Sequence, residues 1–265
     1  MKTLLDLHPT ALDQNLARSL SELHKDCLAS FLLPKEHHEG RERLLGTGFF
    51  VATPDATLAR LYTARHVLEE FDHTHGRITV DTTGVKLGDI GLRSLHPTLD
   101  LARWDIPSNA LIEQGITHVP GLPIFPREMA RDAFEPTDSF MLLGYPGSKN
   151  ASLDFREGQR PDRAILALAL HGSVLDAQTG VRTFEYRGKA TPEKWNPAVT
   201  NPPALAGMSG SPCLRFVHER KSGRLAVVLA GVFYAWSSRR HELSVAAIGD
   251  PWMDLPNDDP EALDL

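Results

Sequence analysis

Apolar residues after position 27 come in short runs broken by Gly, Pro and Asp, not at helical spacing. The runs at 27–33, 44–52, 58–63, 77–82, 140–143, 164–175, 181–186, 214–217, 225–233 and 243–248 suit strands by composition and length. Helical periodicity is nearly absent between them, which predicts an all-β sandwich or barrel over alternating βαβ units. The exception comes first. Leu12, Leu16, Leu20, Leu23 and Cys27 recur at steps of three and four, with Thr10 as N-cap and Asp13 in the first turn, and predict an amphipathic helix over 10–26. Such a helix either packs on the surface of its own domain or serves as an arm for a regulatory protein partner.

Two proline clusters, at 120–136 and 191–203, mark loops. The first divides a single domain into halves, 27–119 and 120–250, and the second leads into Gly207-Met208-Ser209-Gly210. The end, 251–265, is acidic and reads as a solvated tail. No internal repeat is evident.

Composition narrows the class. The 265 residues are 42% hydrophobic with a formal net charge of −6, enough chain for one large β domain or two small lobes. That balance argues against general nucleic-acid affinity; Arg215, Arg220, Lys221, Arg224, Arg239 and Arg240 flank strands without aromatics set for base stacking. No apolar run is long enough for a bilayer helix, and Asp6, Asp13, Arg18 and Glu22 interrupt any apolar core at the start. Cys27 and Cys213 are the only cysteines, which points to a reducing cytoplasm over a disulfide framework.

Three stretches carry chemistry. A serine between glycines in a tight turn, Ser209, presents a hydroxyl and nearby backbone N–H groups as a nucleophile requires, although a small-residue turn feeding a strand has the same sequence. His66 closes the strand of Leu61-Tyr62-Thr63-Ala64-Arg65-His66-Val67 at the start of a short helical turn, where an imidazole can be aimed into a cleft. Asp100, in Leu99-Asp100-Leu101-Ala102, is an acid inside an apolar strand and needs a hydrogen-bond partner, with Asp89 and Asp105 as competitors. His73 and His75 lack a completing set of Cys or carboxylates, so no metal and no cofactor is expected. Cys213, four residues beyond Ser209, reads as a buried inert thiol.

The order His66, Asp100, Ser209 differs from the Ser-Asp-His order of α/β-hydrolases. With Gly46-Thr47-Gly48-Phe49, Leu143-Gly144-Tyr145-Pro146 and Ala230-Gly231-Val232 in support, the chain resembles trypsin-like serine peptidases from about residue 27 to 250. The likeness is strongest to the bacterial branch of glutamyl endopeptidases and high-temperature-requirement proteases.

The resemblance implies two six-stranded antiparallel β-barrels around a cleft, with His66 and Asp100 from the first and Ser209 from the second. It implies that Ser209 attacks a peptide carbonyl, His66 relays the proton, Asp100 holds the imidazole, and the N–H groups of Gly207 and Ser209 form the oxyanion hole. Met208 stands where digestive members carry an aspartate, so activation by an N-terminal amine is not implied. Pro203, six residues before Ser209, brings no anion to the pocket base, and Pro203, Ala204, Tyr234 and Trp236 are the candidate pocket residues for a small or medium apolar side chain. A silent binding module with the same fold and an esterase using the same serine are the alternative functions.

Overall fold

In the computed structural model the described residues are 25–33, 43–51, 57–74, 77–80, 83–85, 90–113, 116, 121–122, 134–147, 166–171, 173–186, 205–221, 223 and 225–248. The 10–26 helix falls outside them except for a 3-10 turn at Lys25–Cys27, as do Asp89, Pro203, Ala204 and the 251–265 tail.

The architecture is all-β, as expected. The first sheet contains β1 (Leu28–Leu33), β2 (Arg43–Val51), β3 (Leu58–Thr63), β4 (Arg77–Val80), β5 (Thr83–Val85), β6 (Leu92–Leu95) and β7 (Ala102–Pro107), in the order β5-β4-β1-β2-β3-β7-β6. The second contains β8 (Phe134–Gly144), β9 (Leu166–His171), β10 (Ser173–Asp176), β11 (Val181–Glu185), β12 (Pro212–Glu219), β13 (Leu225–Ser237) and β14 (Glu242–Ala247), in the order β10-β11-β14-β13-β12-β8-β9. Each sheet therefore has seven strands where six were expected, and every ladder within the sheets is antiparallel.

The differences from the sequence pattern have backbone causes. β6 is an edge strand with Leu92 and Leu95 exposed, held by pairing to β7, so it has no inward alternation to read. β13 runs past residue 233 because Trp236 pairs with Leu243 and Ser237 with Glu242 across the ladder. The apolar run at 164–175 is two strands, and the run at 140–143 is part of the longer β8.

Alternation along the strands sorts side chains into separate cores. In the first sheet Phe31, Phe50, Leu61 and Trp104 turn to one core, while Phe49, Val51 and Tyr62 turn to another shared with Met141, Leu143, Leu214, Phe216 and Val232 of the second sheet. That shared layer joins the sheets. A third core, including Phe140, Phe184, Met208, Cys213 and Phe233, lies within the second sheet.

Helix α1 (Arg65–Thr74) starts two residues after β3 ends and buries Val67, Leu68 and Phe71, a spacing that lays one face on the first sheet. Phe71 meets Phe31 edge-on at 5.2 Å and Trp104 at 5.9 Å. A second helix, α2 (Ser108–Glu113), follows β7 directly. Phe71→Ala removes the ring that anchors α1, and with it the support of His66. It is expected to cost roughly 3–5 kcal/mol, measured by urea unfolding followed by circular dichroism.

Candidate active site

His66 is the second residue of α1, so the β3–α1 junction sets its position. Asp100 does not lie within a strand as expected: it ends the bend at 97–100 that precedes β7. The reason is that the β6–β7 ladder closes at Leu95 and Ala102, leaving the residues between as a connecting loop. From that loop the carboxylate grips the helix start twice. Oδ2 lies 2.7 Å from His66 Nδ1, and Oδ1 accepts the His66 backbone N–H at 3.0 Å.

Burial pushes the Asp100 carboxyl up, but hydrogen bonds from the His66 ring and backbone, the charge of His66 and the Arg65 N–H outweigh it, so the group sits below the usual carboxylate value. With its proton on Nδ1 facing Asp100, a neutral imidazole keeps the Nε2 lone pair as a proton acceptor. Half of the His66 side chain is exposed. The competitor Asp105 is engaged elsewhere. It is buried on β7, accepts Arg60 Nε at 2.9 Å and has the Arg103 guanidinium as an ion-pair partner 3.1 Å from its other oxygen.

Ser209 comes from the second sheet, in the turn that enters β12. The turn is folded by Met208 N–H to Leu205 O (3.0 Å), Ser211 N–H to Met208 O (2.9 Å) and Gly210 N–H to Phe233 O (2.7 Å). Gly207 and Gly210 adopt φ of 84° and 91°, which favours glycine. A Cβ on Gly210 would also run into Thr47 O and Thr63 Oγ1. That close approach puts the serine turn against β2 and the end of β3, beside the start of α1. Among the described residues no acceptor engages the N–H of Gly207 or of Ser209. The Ser209 hydroxyl donates to Tyr234 O at 3.3 Å, and no hydrogen bond joins it to His66.

Thr47, which the Gly46-Thr47-Gly48-Phe49 stretch includes without giving it a role of its own, is the residue that joins β2 to the serine turn. It is fully buried, and its N–H donates to Ser209 O at 2.8 Å. Its hydroxyl donates to Gly207 O at 3.0 Å and accepts from Tyr145 N–H at 3.1 Å, while its carbonyl accepts from Thr63 Oγ1 at 2.8 Å. A polar residue between two glycines in an apolar strand was the available signal.

Of the other candidates, Tyr234 places its carbonyl at Ser209 and its side chain against the cores of the first sheet and of the inter-sheet layer. Trp236 is exposed and meets Tyr186 edge-on at 6.1 Å. Cys213 is buried as expected, which pushes its thiol up to about 12, and Cys27 rises to about 11 for the same reason. Neither supplies a thiolate nucleophile near neutral pH. Among the described residues no cluster of His, Cys, Asp and Glu is arranged to hold a metal.

No family model and no curated protein matches the chain. Among solved structures it is similar to the tobacco vein mottling virus protease, with 10% identity, a TM-score of 0.49 and coverage of 91% of this chain and 85% of that one. It is also similar to a Glu endopeptidase solved with MPD, with 13% identity, a TM-score of 0.46 and coverage of 86% and 87%. The murine norovirus 1 NS6 protease is another, with 13% identity, a TM-score of 0.39 and coverage of 81% and 92%.

Two outcomes are expected. Thr47→Val deletes a hydroxyl with partners on both sides and should lower stability by about 1–3 kcal/mol, with Thr47→Ser recovering most of it, in denaturant titrations. Because the Asp100 pKa is lowered in the folded state, its contribution is present above the unfolded value near 3.8 and is lost as pH falls through the folded value. Asp100→Asn should therefore flatten the fall of thermal stability with acid over that window.

Proposed function

We propose that the chain is a serine endopeptidase in which Ser209, His66 and Asp100 carry out acyl transfer. The observation that carries the reading is the 2.7 Å approach of His66 Nδ1 to a carboxylate that also accepts the His66 backbone N–H. That arrangement fixes both the tautomer and the direction of the ring. Ser209 Oγ attacks the peptide carbonyl and His66 Nε2 takes its proton. The carbonyl oxygen becomes an oxyanion facing the N–H groups of Gly207 and Ser209. Collapse expels the amine, which takes the proton from His66, and water then repeats the sequence on the acyl-enzyme.

This reading requires the Ser209 hydroxyl to leave Tyr234 O and engage the imidazole; catalytic hydrogen bonds commonly tighten only once substrate is bound. The protein substrate is cleaved without strict preference for Lys or Arg, on the absence of an acid from 196–211. The two buried, unpaired cysteines support a cytoplasmic setting. Residues 10–26 are the candidate contact for a regulatory partner.

One observation favours a second reading, a silent binding module: the Ser209 hydroxyl is bonded to Tyr234 O and not to His66. A fluorophosphonate probe separates the two. The peptidase reading expects labelling of the wild type, none of Ser209→Ala, and loss of peptide turnover on the order of 10⁴-fold in that variant. A folded wild type that neither labels nor cleaves a peptide library supports the binding module.

A further inference from the structure

We propose that His96 is a positioning residue whose ring nitrogen holds the loop that presents Asp100 to His66. The loop connects β6 to β7 and is closed at its base by His96 N–H to Leu101 O at 2.9 Å. Inside it, His96 Nδ1 accepts the backbone N–H of Leu99 at 3.0 Å and of Thr98 at 3.2 Å. Both donors are backbone amides, so Nδ1 must offer a lone pair, and the proton of the neutral ring sits on Nε2. Burial lowers the pKa of His96, which favours that neutral ring.

Geometry explains the consequence. Asx turns achieve the same result with a carboxylate or amide oxygen that accepts N–H groups two and three residues on. Here an imidazole does so, and the second amide it holds belongs to the residue immediately before Asp100. The Leu99 side chain packs against the core between the sheets, so the loop is fixed from both sides. Asp100 then needs no strand of its own to reach the start of α1.

The kinetic consequence rests on the peptidase reading; the structural one does not. In the folded full-length protein, nitrogen chemical shifts should show His96 protonated at Nε2 and not at Nδ1. The downfield proton resonance of the short His66–Asp100 hydrogen bond should broaden or vanish in His96→Ala and return in His96→Asp, whose carboxylate can accept the same amides. With a cleavable peptide, kcat should fall about tenfold in His96→Ala with KM little changed, and recover to within about threefold in His96→Asp.

A wild-type His96 protonated at Nδ1 overturns the proposal. So does a His96→Asp protein that behaves like His96→Ala, or a His96→Ala protein that keeps the downfield resonance. If the wild type proves inactive, the peptidase reading fails while the resonance arms still decide the role of His96. If His96→Ala does not fold, the wild-type tautomer and the His96→Asp resonance decide it.

Discussion

Thr47 is where the two sheets are locked in register. Hydrophobic packing between them is non-directional and tolerates sliding, whereas three hydrogen bonds across the seam at one fully buried residue do not. Through its N–H and hydroxyl Thr47 reaches the carbonyls of Ser209 and Gly207, so the residue that joins the sheets also shapes the serine turn. Gly210 allows the approach, since any side chain there would enter Thr47 O. Gly46 does the same one residue earlier: a Cβ on it would lie 2.7 Å from Val67, next to His66, and 2.8 Å from Ser209 O.

The division of labour between the sheets follows from this. His66 and Asp100 are both carried by connections between elements of the first half, the β3–α1 junction and the β6–β7 loop, and meet without a residue of the second sheet. Ser209 depends on docking. A disturbance at the Thr47 contact would shift the hydroxyl and its flanking N–H groups together, while leaving the imidazole and its carboxylate paired.

Two aspartates five residues apart meet opposite fates. Asp105, inside β7, pairs with Arg60 directly across the ladder and is buried with it. Asp100, one loop earlier, remains partly exposed beside a half-exposed imidazole. A carboxylate confined by a guanidinium in a core is a structural group; one held by an imidazole at the surface can respond to a proton moved on that ring. Cys213 shows the same principle, since complete burial keeps its thiol protonated four residues from Ser209.

The all-β class was legible from alternation and turn residues, because a half-buried strand writes its faces into the chain at period two. Motif context singles out residues 66, 100 and 209, where small residues and an isolated acid stand out against apolar runs, and the pairing of His66 with Asp100 is the part of that set the fold brings together. Edge strands such as β6, the extension of β13 and the loop position of Asp100 were not, since backbone pairing with residues distant in sequence decides them. Which groups Thr47 and His96 hold is decided by the tertiary structure, even though Thr47 stands out in sequence as a polar residue between two glycines. A hydroxyl or an imidazole has no preferred partner in sequence, and only the docked sheets and the closed loop bring the particular N–H and C=O groups within reach of it.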